Sequence, residues 1–544
     1  MNLKLSFLAV LLLRVFFANS VNVPQYRVFE HQLVNNSEYS NKFKDVDLKV
    51  QYRSPSGLLY NFYGFYDGDG KGGSEGTIWK IRFMPNEVGT WTYTYSWSDG
   101  TKGGNGTFEC VEEGAGKGIL KPYAKNPHWF AYNETDPVWL KSYYETGHSS
   151  IAQDFDWIKS NVYTPLIEAG YNHLQVNWLL SLCCSEQYYK DGPKPETQDL
   201  TLYEEGDLFG TMNLDVWKRM EKHLGWLNEK DVAVHMFLGV DGSKNDGPDW
   251  SKLSIEEKDW FVKYMVARLA PYANVAGWNY VWEVPGNREE AELGFARLIC
   301  KYDIFKHLCS YEDEFPRDNE FHRNEYSFAI VENHEITSKD RNMDRVYWKE
   351  PWTHHMACKV AYVGKPVFMS EGNALWRRFW QKLTHATQDE LRKSAWACAT
   401  AGASFTWCGH AGEEALFASG SEGLPFNDEN PYSLSEKQIG ILAEVMNNEI
   451  QFYNMKPHDE LLSACPMLEV YALAEPGKQY LVFSPDGKAF TLEIEKGNYS
   501  TVKWIDAKNG NEKSAGKINI SDETKKVVFN APSTTSDWVL ILKN

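Results

Sequence analysis

Two consecutive stretches decide the fold: MNLDVWKRMEKHLGWLNEKDVAVHMFLGV, residues 212–240, and SIEEKDWFVKYMVARLAPYANVAGWNYVWEV, residues 254–284. Each begins with apolar residues at intervals of three and four, which predicts an amphipathic helix. Each ends in a short apolar run, which predicts a buried strand. Two such units in succession are typical of a domain that has a parallel sheet with helices on its outside.

The same alternation continues on both sides, over residues 115–457. The strand candidates are VWLKSYYE (138–145), YNHLQVNWLL (171–180), DVAVHMFLGV (231–240), VAGWNYVWEV (275–284), FKHLCSYED (305–313), DRVYWKE (344–350), KPVFMSEG (365–372) and GASFTWCGH (402–410). Eight strand–helix units predict a (β/α)₈ TIM barrel. An open doubly wound sheet is the alternative, but no candidate strand is followed by a phosphate-binding turn.

Short alternating strands flank the barrel on both sides. Residues 21–114 include GTIWKIRFMP and GTWTYTYSWS, separated by turn clusters, and residues 458–544 include QYLVFSP and SDWVLILK. Each region predicts a small β-sandwich. Alternation within their strands predicts that four tryptophans, Trp91, Trp97, Trp504 and Trp538, are core residues rather than binding-face rings.

The first 20 residues, MNLKLSFLAVLLLRVFFANS, resemble an export leader. Lys4 precedes an apolar run, and Ala18 and Ser20 are small residues at the cleavage positions. A membrane anchor is the alternative, but Arg14 interrupts a run that is already shorter than a bilayer span. We therefore expect a signal peptide over residues 1–20 and a periplasmic or secreted protein.

Composition narrows the class of partner. A net charge of −18 disfavours nucleic acid and anionic membranes, and no later segment is long and apolar enough to span a bilayer. Aromatic residues make up 15% of the chain, which is enough to line a binding surface as well as a core.

The nine cysteines form no CxxC pair, so we expect no metal and no cofactor. Oligomeric state is left open.

Two motif matches in the first sandwich are expected to be coincidental. Gly68, Gly70 and Gly73 satisfy GxGxxG, and Gly72, Ser74 and Gly76 satisfy GxSxG. Neither opens a helix, which is the context that phosphate binding or a serine nucleophile requires. A hairpin loop is the better interpretation, and a serine esterase that uses Ser74 is a remote alternative.

Two glutamates follow apolar strands of the predicted barrel. Glu283 ends the fourth candidate strand and Glu371 ends the seventh. Catalytic groups of TIM barrels stand at the carboxyl ends of strands. An ion pair with a nearby Lys or Arg could explain either one, but a pair of carboxylates is what glycoside hydrolysis needs. Glu312 and Glu350, which follow the fifth and sixth candidate strands, are the rivals.

This arrangement resembles the retaining (β/α)₈ glycoside hydrolases of clan A, in which a Trp such as Trp407 also ends strand eight. The resemblance implies that Glu283 is the acid/base and Glu371 the nucleophile. It extends to a bacterial multidomain type with an N-terminal Ig-like domain, marked by GFYDGDG at residues 64–70, and a C-terminal β domain, marked by a W-x-D-x-x-x-G stretch at residues 504–510.

One residue departs from that pattern. Clan members carry Asn directly before the acid/base, where its amide contacts the sugar 2-hydroxyl, whereas this chain has Trp282. Asn177, after the second strand, is a candidate replacement donor, with a loop-capping role as its alternative.

Further substrate-binding candidates follow other strands. Trp407 could form the floor of a sugar subsite, and His410 could bond a hydroxyl group. Trp178, Tyr311 and Trp348 could form further platforms, although each ring alone is more often a packing residue. The sequence thus predicts an exported retaining glycosidase acting on plant or algal poly- or oligosaccharides. The alternative is a non-catalytic carbohydrate-binding protein that keeps the barrel as a scaffold.

Overall fold

A computed structural model describes residues 21–145, 151, 154–176, 178–179, 202–203, 210–239, 253–281, 288–313, 322–331, 351–370, 388–408, 431–465 and 469–544. These residues form an N-terminal β domain, a central barrel and a C-terminal β domain. The predicted multidomain fold is therefore confirmed. The predicted leader, residues 1–20, lies outside the described residues.

The N-terminal domain consists of two sheets, with strand orders β1-β8-β7-β3-β4 and β2-β6-β5. The strands are β1 (Val21–Pro24), β2 (Phe29–Val34), β3 (Leu48–Arg53), β4 (Leu59–Tyr63), β5 (Phe65–Tyr66), β6 (Ile78–Phe83), β7 (Gly89–Trp97) and β8 (Gly104–Val111). Residues in β3 alternate strictly between buried and exposed, as a strand on a packed sheet requires. Trp91 and Trp97 are buried, which confirms their predicted core role.

A small antiparallel sheet connects this domain to the barrel. It contains β9 (Leu120–Pro122), β10 (Phe130–Tyr132) and β11 (Asp136–Pro137). Its Leu120 and Phe130 share an apolar cluster with Ala233 and Leu308, the first residues of two barrel strands. The sheet therefore covers the amino end of the barrel, and ligand access is left to the carboxyl end.

In the described part of the chain, eight parallel strands close into a barrel in chain order. They are β12 (Lys141–Glu145), β13 (His173–Val176), β14 (Ala233–Gly239), β15 (Val275–Val281), β16 (Leu308–Asp313), β17 (Ala329–Val331), β18 (Val367–Met369) and β19 (Ala403–Cys408). Pairing of Ser142 with both His173 and Thr406 joins the first strand to the second and the eighth. The helices are α1 (Phe155–Ile158), α2 (Thr164–Glu168), α3 (Leu214–Glu229), α4 (Ile255–Leu269), α5 (Arg288–Tyr302), α6 (Pro351–Ala361), α7 (Gln388–Thr400) and α8 (Pro431–Glu444).

The sixth strand is not where the sequence predicted it. We expected DRVYWKE (344–350), but β17 occupies the sixth place and pairs with β16 and β18. All three residues of β17 are buried, as a strand covered on both faces requires. A run of three apolar residues is too short for periodicity to reveal. Because the sixth strand ends at Val331, Trp348 and Glu350 do not directly follow it. Residues 344–350 themselves lie outside the described residues.

The C-terminal domain is an antiparallel sheet that folds into a sandwich. Its strands are β20 (Lys456–Pro457), β21 (Leu462–Ser463), β22 (Tyr471–Glu475), β23 (Gln479–Ser484), β24 (Phe490–Asp506), β25 (Glu512–Phe529) and β26 (Trp538–Lys543). Trp504 and Trp538 lie in its core, as predicted. Asp506, from the W-x-D-x-x-x-G stretch, accepts a hydrogen bond from the backbone of Lys508 (2.8 Å) in the β24–β25 turn and one from the hydroxyl of Ser536 (2.7 Å), just before β26.

A buried ionic cluster joins the N-terminal domain to the barrel. Arg82 donates to both carboxylate oxygens of Glu221 on α3, at 2.9 and 3.0 Å. Arg268 on α4 donates to Glu221 at 2.6 Å, and Asp67 pairs with Arg268 at 3.1 Å. Asp67 also pairs with Lys218 at 2.8 Å. The GFYDGDG turn therefore supplies a docking carboxylate.

A second polar interface joins the barrel to the C-terminal domain. The Asp537 carboxylate accepts a hydrogen bond from the Arg392 Nε on α7 (2.7 Å). Asp459 accepts from His355 and Lys359 on α6, both at 2.7 Å. One apolar cluster extends through all three parts of the molecule. Among the described helices, none has the length and apolar character needed to cross a membrane.

Candidate active site at the carboxyl end of the barrel

The structure fixes the numbering of the strands that precede the two glutamates. Val275–Val281 is the fourth barrel strand and Val367–Met369 is the seventh, as the sequence predicted. Glu283 and Glu371 lie outside the described residues. Each follows the last residue of its strand by two positions. Both strands run toward the end of the barrel that the β9–β11 sheet leaves uncovered.

Ring contacts across the barrel identify its inner face. His173 on the second strand and Phe368 on the seventh are 5.0 Å apart, although their strands are not neighbours. Both side chains therefore point inward. Val367 and Met369, on either side of Phe368, instead pack in the outer cluster together with helix residues.

The same alternation identifies inner and outer positions on the two strands that precede the glutamates. Asn279 pairs in register with Phe237, whose ring stacks on the inward-facing His235, so Asn279 occupies an inner-face position of the fourth strand. On the seventh strand the last residue, Met369, faces outward. The seventh strand ends at Met369 and Ser370 is a bend, so alternation stops before Glu371 is reached.

Glu312 is a stronger rival than the sequence suggested. It pairs in register with Ile330, which belongs to the inner apolar cluster. Its backbone therefore occupies an inner-face position near the carboxyl end of the fifth strand, next to the strand that precedes Glu283.

Beneath the rim, the inner face carries polar side chains that sequence reasoning missed. Gln175, His235, Asn279 and Thr406 are all buried. Their inward direction follows from register, because Gln175 pairs with His235, and Thr406 pairs with Ser142. The signal was present in HLQV, where alternation places His173 and Gln175 on one face.

The two inner histidines are neutral. Burial, together with the neighbouring His235, lowers the pKa of His173 well below its usual value, and burial lowers the pKa of His235 to about 3. Ser142 and the Nδ1 atom of His173 are hydrogen bonded at 2.7 Å. The inner face therefore offers uncharged donors and acceptors.

The predicted aromatic platforms fall into two groups. Trp178 and Tyr311 are buried, and Trp178 packs against His223 at 5.7 Å, which favours the packing role noted for each ring. Trp407 lies in the eighth strand, paired with Tyr143, but its side chain is not among those described. Asn177, Trp282, Trp348 and His410 lie outside the described residues.

The Gly-rich loop of the first domain is a hairpin connection. It joins β5 to β6, and no helix follows it. The Asp69 carboxylate accepts backbone hydrogen bonds from Lys71 (2.6 Å) and Gly73 (3.0 Å), and the Tyr66 hydroxyl donates to the carbonyls of Ser74 and Gly76 at 2.9 Å. The loop therefore lacks the strand–turn–helix context of a phosphate-binding loop or a nucleophilic serine. Among the described residues, no three His, Cys, Asp or Glu side chains cluster as metal ligands.

Two family models match the flanking domains. Residues 22–98 match a domain of unknown function (DUF5060), and residues 468–543 match a model provisionally described as the collagen-binding domain of a collagenase. No curated protein sequence matches this chain.

Solved structures match across the domains. A protein from Bacteroides vulgatus, provisionally described as a glycoside hydrolase, is 16% identical with a TM-score of 0.69, over 96% of this chain and 100% of its own. A family 5 glycoside hydrolase from the same species is 15% identical with a TM-score of 0.59, over 79% of this chain and 93% of its own. The chain therefore has a glycoside hydrolase-like fold.

Proposed function

We propose that this chain is an exported retaining glycoside hydrolase that cleaves plant or algal poly- or oligosaccharides. The observation that carries the proposal is a closed barrel whose fourth and seventh strands end at Val281 and Met369, each two residues before a glutamate in the sequence. The fold similarity to glycoside hydrolases supports the same conclusion. Export rests on the leader-like residues 1–20.

In the proposed reaction, Glu283 is protonated and Glu371 is ionised. Glu371 attacks the anomeric carbon while Glu283 gives its proton to the glycosidic oxygen, which leaves with the bonding electron pair. A glycosyl ester on Glu371 results. Glu283 then removes a proton from water, which displaces Glu371 and releases the sugar. Their environments must separate their pKa values.

The proposal requires a backbone turn at the end of the seventh strand. Retention needs the two carboxyl groups about 5–5.5 Å apart. Because Met369 faces outward, the bend at Ser370 must redirect Glu371 toward the barrel axis. Glu312, whose register position is already on the inner face, is the acid that would replace it.

A carbohydrate-binding protein without catalysis is the second candidate. Two observations favour it: Trp282 occupies the place of the usual Asn, and the face of Val367 and Met369 points outward. Such a protein would bind glycans through the same end of the barrel and release no product.

The experiment is a hydrolysis screen of plant and algal polysaccharides with the wild type, Glu283→Gln and Glu371→Gln. We expect release of reducing sugar by the wild type and a loss of about 10³-fold or more in kcat for each variant. Glu312→Gln is the matched control and should keep its activity. Binding without hydrolysis across the panel would establish the second candidate, and loss of activity only in Glu312→Gln would reassign the nucleophile.

A further inference from the structure

Polar residues of the inner face are concentrated on one side of the barrel, although the apolar Phe237 lies on the third strand and the hydroxyl of Ser310 on the fifth. Thr406, Ser142, Gln175, His235 and Asn279 lie on strands eight, one, two, three and four, which are consecutive around the barrel. The apolar residues Leu308, Ile330 and Phe368 lie on strands five, six and seven. TIM barrel interiors are usually filled by branched apolar side chains, so a polar side is a deviation that needs a reason.

Several of these polar groups have no hydrogen-bond partner in the described part of the chain. They are both amide atoms of Gln175, both amide atoms of Asn279, the Thr406 hydroxyl and the Nε2 atom of His235. All four residues are at most 1% exposed. A buried unsatisfied polar group costs about 1–3 kcal/mol, and four such residues on one inner surface indicate a bound polar partner.

The hydrogen-bonding chemistry of these groups indicates which kind of ligand they can bind. Two carboxamides and a hydroxyl each both donate and accept hydrogen bonds, and the neutral His235 adds no charge. The surface therefore lacks the cations that phosphate or carboxylate would need and the anions that a metal ion would need. A hydroxyl group, which is itself donor and acceptor, matches it.

Depth along the strands places three of the four near the candidate site. Gln175 is the residue before the last one of its strand, and Asn279 and Thr406 each lie two residues before the end of theirs. At about 3.3 Å per residue, they lie roughly 3–7 Å below the carboxyl end. A sugar hydroxyl or hydroxymethyl group that entered the carboxyl end of the barrel would meet these groups at this depth, directly or through one ordered water.

We propose that Gln175, Asn279 and Thr406 form the floor of the cleft and bind hydroxyl groups of the sugar ring that lies between the catalytic glutamates. The inference rests on the proposed function and deepens it, because it assigns specificity to three residues. Their amides and hydroxyl supply hydroxyl contacts in a chain that has Trp282 where an amide is usual.

The test replaces each group with an apolar side chain of similar shape: Gln175→Met, Asn279→Leu and Thr406→Val. Ser310→Ala is the matched control, because this inward hydroxyl already donates to the Phe328 carbonyl at 2.7 Å. Three quantities are measured: kcat/KM on the glycan found in the screen, the Kd of its constituent monosaccharide in a Glu371→Gln background, and the thermal midpoint. Thr406→Val changes shape least and keeps the test valid if a larger replacement fails to fold.

We expect each floor variant to lose about 10-fold or more in kcat/KM and in monosaccharide affinity, with a thermal midpoint unchanged or raised, while Ser310→Ala stays within about 2-fold. Unchanged kcat/KM and affinity overturn the inference. In that case a raised midpoint shows that the groups bond nothing, and a lowered midpoint shows that they bond structural water only.

Failure of the proposed function has a different signature. If the wild type binds the monosaccharide but hydrolyses no glycan, the function fails, and the floor is judged by affinity alone. Weaker binding by Asn279→Leu and Thr406→Val then supports the floor, and unchanged binding overturns it.

Discussion

At the scale of single residues, Glu221 is the acid that joins the first domain to the barrel. Burial would raise its pKa, but the charges of Arg268 and Arg82 lower it far below the usual value. Both arginines donate to it from different elements. Removal of this carboxylate would leave two buried cations without their shared partner.

We predict that Glu221→Ala lowers the free energy of unfolding by about 3–5 kcal/mol, the usual cost of breaking a buried pair. Asp215→Ala, on the same helix, is the control, because the Asp215–Arg219 pair is exposed and should contribute less than about 1 kcal/mol. Urea denaturation of both variants measures the difference. Equal losses would contradict the assignment of the docking role to Glu221.

A second residue, Asp459, is expected to make the stability of the folded protein depend on pH in the acid range. Burial opposes its ionisation, but hydrogen bonds and charge from His355, together with Lys359, lower its pKa to about 2. This value is below the unfolded value of about 3.9, so the carboxylate stabilises the folded state above pH 4 and loses this contribution between about pH 4 and pH 2. We expect Asp459→Asn to be about 2 kcal/mol less stable at pH 7 and equal to the wild type near pH 2, which urea titrations across this range would show. A difference that persists at pH 2 would argue against an ionic origin.

Core residues could be predicted where the alternation of apolar and polar residues within a single strand shows which side chains are buried. The four sandwich tryptophans were assigned to the core by alternation, and all are buried. Inner and outer faces of a barrel strand cannot be told apart in this way, because both are buried. The sequence therefore could not show that Met369, at the end of the seventh strand, faces the helices.

At the scale of elements, helix α4 holds the N-terminal domain against the barrel. Its Trp260 donates to the Phe43 carbonyl at 2.5 Å and its Tyr264 to the Tyr66 carbonyl at 3.1 Å. The helix begins with a capping box, in which the Ser254 hydroxyl accepts from the Glu257 backbone and the Glu257 carboxylate accepts from the Ser254 backbone.

We predict that Ser254→Ala destabilises the protein by about 1 kcal/mol, because the Glu257 backbone N–H at the helix start loses its acceptor. Ile255→Ala is the control, since that side chain is 80% exposed and should change stability by less than about 0.5 kcal/mol. Thermal midpoints of the two variants provide the measurement. A larger drop in thermal midpoint for Ile255→Ala than for Ser254→Ala would contradict the stabilising role assigned to the capping box.

The sequence predicted seven of the eight barrel strands. The candidate ranges contain β12–β16, β18 and β19. The sixth strand was placed wrongly because a run of three apolar residues gives no period, and DRVYWKE contains a similar run, Val346, Tyr347 and Trp348. The β9–β11 sheet was not foreseen either. Its strands contain two or three residues, so they are defined by contact with Ala233 and Leu308 and not by any local pattern.

At the scale of the whole molecule, the three parts share one apolar core. The cluster runs from Phe29 in the first domain through Trp217 and Trp396 in the barrel helices to Phe483 in the last domain. Trp396 and Phe483 stack across the second interface at 5.7 Å. Separation of the domains would expose these faces to water.

We therefore predict a single cooperative unfolding transition by calorimetry. Deletion of residues 469–544 should abolish soluble expression or lower the thermal midpoint by more than about 10 °C, because the Trp396 face loses its cover. Arg392→Ala gives a milder perturbation of the same interface and should lower the midpoint without dividing the transition. Two resolved transitions in the wild type would contradict the shared core.

The most direct test of the central claim is to identify the residue that becomes glycosylated during turnover. The wild type is mixed with the glycan found in the screen, quenched in acid within milliseconds, digested and analysed by tandem mass spectrometry, while NMR follows the anomeric configuration of the first product. We predict one glycosyl unit on Glu371 and a retained configuration. An inverted product, or a glycosyl unit on Glu312 instead, would contradict the assignment.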